Sequence, residues 1–322
     1  MEEHNQSSLL KSKRFLPFFC TQFLGAFNDN IFKNTLMLLI AFSATQALGM
    51  EPNVVMNLAA GLFILPFFLF SAIAGQVADK FEKSSIIRKV KLAEVCIMLL
   101  AAVCFITESY SLLLLLLFVM GTQSTFFGPV KYAILPQHLR NDELVGGNAL
   151  VEMGTFIAIL LGTIGAGILM GFEQTKELTA IAVVIVAIAG YLSSRKVPVA
   201  ESANPTMKLD FNIFRMTIQV LKYAKEDRAI FLSILAISWF WFLGASYLTQ
   251  FPNFAKTVLQ GDASVVTLLL ALFSVGIGIG SLLCERLSGH KIEIGIVPIG
   301  SLGLTLFGVD LYCSIPSYYV DQ

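Results

Sequence analysis

In the stretch FLGAFNDNIFKNTL, residues 23–36, Asp29 and Lys33 stand four apart inside a long apolar run. At a helical period Gln22, Ala26, Asp29 and Lys33 share one narrow face, with Asn30 at its edge and Asn28 and Asn34 turned away. Acid before base at i,i+4 is the favourable order for a helical ion pair. The run from Phe15 to Phe42 is 28 residues, about 42 Å of helix, and Asp29 lies near its middle. A lone charge at the centre of a membrane costs at least ~2.5–3.5 kcal/mol on insertion scales, so a retained one usually marks a substrate path; a buried pair that only joins helices is the plainer alternative. An anion and a cation on one face suit a zwitterionic or phosphate-bearing substrate, Lys33 meeting phosphate as a point charge and Asp29 an ammonium. Proton exchange at Asp29 is the competing use.

A second set of polar residues lies between 124 and 167. Pro129 and Pro136 bracket Lys131, Asn141–Glu143 offers cap residues for the next helix, and Asn148 and Glu152 are one turn apart on it. Glu152 is a candidate partner for Lys33 or Lys131, and Gly162, Gly165 and Gly167 are expected to mark close helix packing. Trp239, Trp241 and Tyr247 read as interfacial anchors. The substrate-binding candidates are therefore Gln22, Asp29, Asn30, Lys33 and Glu152.

The elements that must carry these residues are membrane helices. The chain has 322 residues, 56% hydrophobic and 14% charged, and a mean hydropathy of +0.76; a soluble domain carries nearer a quarter charged residues. Net charge is zero, which gives no basis for nucleic-acid binding. Cys20, Cys96, Cys104, Cys284 and Cys313 show no metal-ligand spacing, and His4, His138 and His290 are scattered, so no metal, cofactor or nucleophilic site is expected. Lys11, Lys13 and Arg14 precede the first run as in a signal peptide, but the run is too long and too charged, and it reads as a retained helix.

Apolar runs place nine spans at 15–42, 53–78, 92–107, 111–135, 146–171, 178–194, 229–251, 264–284 and 293–312. Of the basic residues, 19 fall at one set of ends, including Lys80, Lys83, Arg88, Lys89 and Lys91, against 2 at the other. This asymmetry puts the N-terminus in the cytoplasm. The layout is a six-helix bundle at 1–194, a basic cytoplasmic linker at 195–228 and a second bundle at 229–322. Within the linker, Phe211–Tyr223 has the spacing of a helix lying on the membrane surface. FLGA recurs at 23–26 and 242–245, and GQVADKFEK at 75–83 has a counterpart in SLLCERLSGHK at 281–291. Two related halves predict twelve spans in all, so the chain is expected to be a fragment or a truncated product.

Gly75-x-x-x-Asp79-Lys80 resembles the loop motif of the major facilitator superfamily, with Lys80 for the usual Arg and Glu82 at a usual glycine; the second copy has Glu285-Arg286. The resemblance makes Gly75, Asp79, Lys80, Glu285 and Arg286 a candidate conformational latch. QFLGAFNDNIFKNTL, FGPVKYAILPQHL and ELVGGNALVEMGTFIAILLGT further resemble the lysophospholipid transporter family of that superfamily, over most of residues 12–315. That resemblance implies an all-α, facilitator-type helical bundle with nine of twelve transmembrane helices present. It also implies a bacterial inner-membrane transporter, not an enzyme, that moves 2-acyl lysophospholipids, chiefly lysophosphatidylethanolamine, to the cytoplasmic leaflet. There they are re-acylated by a partner acyltransferase with acyl–acyl carrier protein synthetase activity, sometimes fused to the transporter. A proton-coupled facilitator exporting small hydrophobic compounds is the alternative; the Gly-Pro pattern of drug antiporters is absent from the fifth span.

Overall fold

The computed structural model describes residues 6–42, 52–261, 263–289, 291 and 293–314. They form a short 3-10 turn, Gln6–Lys11, and eleven α-helices: α1 Leu16–Phe42, α2 Pro52–Lys80, α3 Lys83–Ile106, α4 Tyr110–Ala133, α5 Leu135–His138, α6 Leu144–Leu169, α7 Thr175–Ser194, α8 Ile213–Glu226, α9 Arg228–Thr257, α10 Ala263–Leu287 and α11 Ile296–Ser314. Each of the nine expected spans is found as a helix. Seven are long and apolar enough to cross a membrane. The two that fall short are α1, with Asn28, Asp29, Asn30, Lys33 and Asn34 in its middle, and α3, with Lys83, Arg88, Lys89, Lys91 and Glu94 in its first half. His4, His290 and the final stretch from 315 lie outside the described residues.

The third helix starts earlier than its apolar run suggests. Glu82 caps it, accepting the amide hydrogens of Ser84 and Ser85 at 2.9 Å each, which satisfies two of the free donors at a helix start. Helix α3 therefore begins at Lys83, and Lys91, expected among the loop cations, is two turns inside it.

The chain divides into two compact units, residues 1–220 and 221–322. In the first, α2 packs most extensively on α4, α1 on α6, and α3 on α7. Lipid is as apolar as a leucine side chain, so such helices associate through close fit and polar contacts. Phe32, Leu36, Ile40, Met98, Phe105, Leu113 and Leu117 form the tightly enclosed centre. Gly162 carries α6 against α1, where a Cβ would lie 2.7 Å from the Phe27 carbonyl oxygen; Gly165 has only ordinary contacts and Gly167 none. Gly121 likewise receives the α2 backbone at Phe63, one turn before the internal Pro66. In the second unit α9 packs on α10.

Candidate functional site

Four helices of the first unit, α1, α3, α4 and α6, bring their polar side chains together in its interior. The innermost group is an ion pair on α3. Lys91 Nζ lies 2.6 Å from Glu94 Oε2, with side chains only 2% and 1% exposed. Glu94 also accepts from Asn28 Nδ2 at 3.0 Å and Gln123 Nε2 at 3.3 Å. The ammonium lies 5.1 Å from the centre of the Phe127 ring. Burial of both ions is tolerable because each has partners beyond the other. The pair also explains a glycine: a Cβ at Gly25 would overlap Lys91 Nζ. Gly244, its counterpart in the repeated FLGA, has only an ordinary contact, with Phe273 at 3.9 Å. The two copies are alike in sequence, but only the first makes room for an ion.

Next to this pair, Ser124 Oγ is 2.9 Å from Asp29 Oδ2 and 3.0 Å from Gln123 Oε1. One hydroxyl proton thus faces two acceptors. The other carboxylate oxygen, Asp29 Oδ1, is buried with no hydrogen-bond partner, as is Asn28 Oδ1. Leaving such an atom unpaired costs about 1–3 kcal/mol.

Lys131 begins a third group. Its Nζ donates to Thr155 Oγ1 at 2.8 Å and lies 3.9 Å from Glu152 Oε1. Thr155 Oγ1 is in turn 3.0 Å from Gln22 Oε1, and Gln22 Nε2 donates to the Val151 carbonyl at 3.4 Å. Tyr132 donates to Glu152 at 2.5 Å. A cavity of about 80 Å³ joins the three groups, lined by Gln22, Gly25, Asp29, Lys91, Ser124 and Lys131 among others.

Asp29 and Lys33 share a helix but form no ion pair within 4 Å among the described residues; Lys33 instead lies 5.3 Å from the Phe63 ring centre, on the side facing α2. Glu152 meets Lys131, not Lys33. Asn30 donates to its own helix, at the Ala26 carbonyl, 2.8 Å away. Asn28 does turn away from the stripe, and it turns into the Lys91–Glu94 group. Neither Lys91 nor Glu94 stood out in the sequence, although opposite charges three apart at the edge of an apolar run were a usable signal. Glu143 precedes α6 without capping it; its carboxylate takes Arg14 Nη2 at 2.5 Å and the Arg140 amide at 2.9 Å. Burial raises its pKa, but those bonds and the Arg14 and Arg140 charges outweigh it and hold the pKa below the ordinary carboxylate value.

The candidate latch is tied to the linker. Residues 197–210 run back along one end of the first unit as a strap. The Lys83 amide donates to the Ala200 carbonyl at 2.9 Å, and the Asn204 amide to the Asp79 carbonyl at 2.8 Å. Lys83 Nζ donates to the Glu201 carbonyl at 2.7 Å. Gln76 and the Asp210 backbone exchange two hydrogen bonds, at 3.0 and 2.9 Å. Glu82 accepts the Ala200 amide at 3.2 Å as well as capping α3, which gives the acid at the motif's glycine position a structural use. Burial raises the Glu82 pKa, but the Ser84 hydroxyl, the Ala200 and Ser84 amides and Arg88 outweigh it, and the net shift is downward. A Cβ at Gly75 would meet nothing within 4 Å in this unit. The Asp79 carboxylate is exposed with no partner among the described residues, and Lys80 Nζ lies 5.7 Å from the Phe81 ring centre. In the second unit Glu285 is buried and Arg286 exposed, and the turn after them uses Gly289 at φ +59°, a conformation glycine adopts without strain.

A multi-pass helical bundle with ionised side chains around an internal cavity is built as a membrane transporter is built. The pattern of the Major Facilitator Superfamily matches residues 18–319, and the chain belongs to that superfamily of transporters. It is also similar to proteins named lysophospholipid transporter LplT. The one from Enterobacter sp. (strain 638) is 28% identical over 330 residues, which cover 98% of this chain and 77% of the relative. That from Serratia proteamaculans (strain 568) is 28% identical over 85% of this chain and 66% of the relative. The Yersinia pestis (strain Pestoides F) protein is 26% identical over 97% and 74%.

Proposed function

We propose that the chain is a lysophospholipid transporter that moves 2-acyl lysophospholipids, lysophosphatidylethanolamine above all, to the cytoplasmic leaflet of a bacterial inner membrane. One observation carries the reading: Asp29 and Lys131, an acid and a base, line the same small cavity with their bonding capacity unfilled. Asp29 Oδ1 has no donor. Lys131 Nζ has a threonine hydroxyl, the Tyr132 ring centre at 5.2 Å and a carboxylate only at 3.9 Å. A glycerophosphoethanolamine head brings one ammonium and one phosphate, and answers both. Lys131 takes the phosphate role first expected of Lys33, with Gln22 and Thr155 beside it and Glu152 holding it in place. Asn30 and Lys33 stay in the proposed path as polar lining on α1. The names carried by the relatives support the substrate class.

In this reading the N-terminus is cytoplasmic. Arg14, Lys83 and Arg140 gather at the strap end of the first unit, where Arg14 reaches Glu143 and the His138 carbonyl. The Gly75–Lys80 and Glu285–Arg286 stretches serve the conformational change, and an acyltransferase with acyl–acyl carrier protein synthetase activity consumes the product. The test is leaflet-resolved uptake in proteoliposomes. Saturable movement of labelled lysophosphatidylethanolamine, without movement of the diacyl lipid, supports the reading. Proton-driven export of small hydrophobic compounds, with no lysolipid movement, replaces it with the alternative.

A further inference from the structure

We propose that α8 is a membrane-surface helix that binds the anionic head groups of the leaflet it lies on. Two observations place it there. Its C-terminus, Glu226, is separated by the single residue Asp227 from α9, a membrane span whose first amides Asp227 caps at 2.7 and 3.2 Å. Its approach is held by the two-way Gln76–Asp210 clamp near the end of α2, also a span. The approach to α8 is therefore tied to the end of one span, and its C-terminus runs directly into the start of another.

Its two apolar faces are used differently. Met216 and Ala224, eight residues apart, are buried. Phe211, just ahead of the helix, and Phe214, Ile218 and Leu221 within it follow an i, i+3, i+7, i+10 spacing on another face. They are 69%, 77%, 54% and 50% exposed. Large apolar side chains aligned on one side of a helix at this level match the acyl boundary of a bilayer. Lys222 and Lys225 are exposed along the same face, and Lys225 continues its line at i+4 from Leu221, with its Nζ 5.9 Å from the Phe231 ring centre. Apolar side chains flanked by cations are complementary to a lipid surface with anionic head groups, each such cation contributing roughly fivefold in affinity near that surface. A protein groove would have to supply acids to both lysines. Arg215 lies 3.5 Å from Asp210 and is not assigned to lipid.

The test uses the full chain in vesicles, with Phe214→Trp as reporter and Trp239→Phe and Trp241→Phe removing the background. Brominated anionic or brominated zwitterionic phospholipid is mixed into an unlabelled zwitterionic bilayer. The expected result is quenching by both lipids, severalfold stronger for the anionic one, with the preference falling to near one in Lys222→Gln/Lys225→Gln. Each single lysine change should remove about fivefold or less, and either one substitutes for the double variant if that variant is poorly inserted. Equal quenching by the two lipids in the parent overturns the anionic preference. Quenching by aqueous iodide but not by bromolipid means that the face is solvated, and quenching by neither means that protein covers it; either result overturns the proposal.

Discussion

Lys91 Nζ and Glu94 Oε2 are 2.6 Å apart in the interior of the first helical unit, and Gly25 on the neighbouring helix leaves the space the ammonium occupies. Removing one partner strands the other charge. Lys91→Ala or Glu94→Ala should each destabilise by about 3–5 kcal/mol, and the double change should cost clearly less than their sum. Reversible unfolding in mixed micelles measures the cycle; additive losses would mean that the two ions are not coupled.

Gly25→Ala should weaken the Lys91–Glu94 pair and cost part of what loss of Lys91 costs, because the ammonium must shift from the new Cβ, whereas Gly244→Ala should be nearly neutral. Comparing the thermal stability of the two variants checks this, and equal losses would refute it.

The strap should loosen in acid. Glu82, which holds the Ala200 amide and the start of α3, has its pKa lowered in the folded chain. A depressed carboxylate stabilises fully above its unfolded pKa, about 4.3, and that contribution is lost as pH falls through the lower folded value. Hydrogen-exchange protection of the Ala200, Ser84 and Ser85 amides should hold from neutrality to about pH 4.3 and fall below it. Glu82→Gln should show weakened protection already at neutral pH, where its parent is intact. Protection independent of Glu82 at every pH would exclude this account of the motif's acid.

How far the sequence discloses this arrangement depends on how each residue is buried. Apolar runs were enough for the spans, and helix periodicity for Asp29 and Gln22 on one face and for an amphipathic α8, because those signals lie within one helix. Lys91 and Glu94 were hidden for the opposite reason. Their burial is made tolerable by Asn28 and Gln123 from other helices, and hydropathy counted within α3 alone ends the membrane segment at the charges. The same blindness gave Glu152 two possible partners and Lys33 a role as the phosphate's partner. Only the packing of α4 on its neighbours shows that Lys131 reaches the cavity that Asp29 lines.

The central claim is that Asp29 and Lys131 take opposite ends of a zwitterionic head group, and head-group selectivity in the two variants tests it most directly. Uptake of lysophosphatidylethanolamine and of lysophosphatidylglycerol, which keeps the phosphate but has no ammonium, is measured in proteoliposomes for the parent, Asp29→Asn and Lys131→Gln. A charged hydrogen bond is worth about 1.5–3 kcal/mol, or roughly 10- to 150-fold. The account predicts a loss in that range for lysophosphatidylethanolamine alone in Asp29→Asn, and for both lipids in Lys131→Gln. Equal losses on the two lipids in Asp29→Asn, or undiminished uptake in Lys131→Gln, would contradict it.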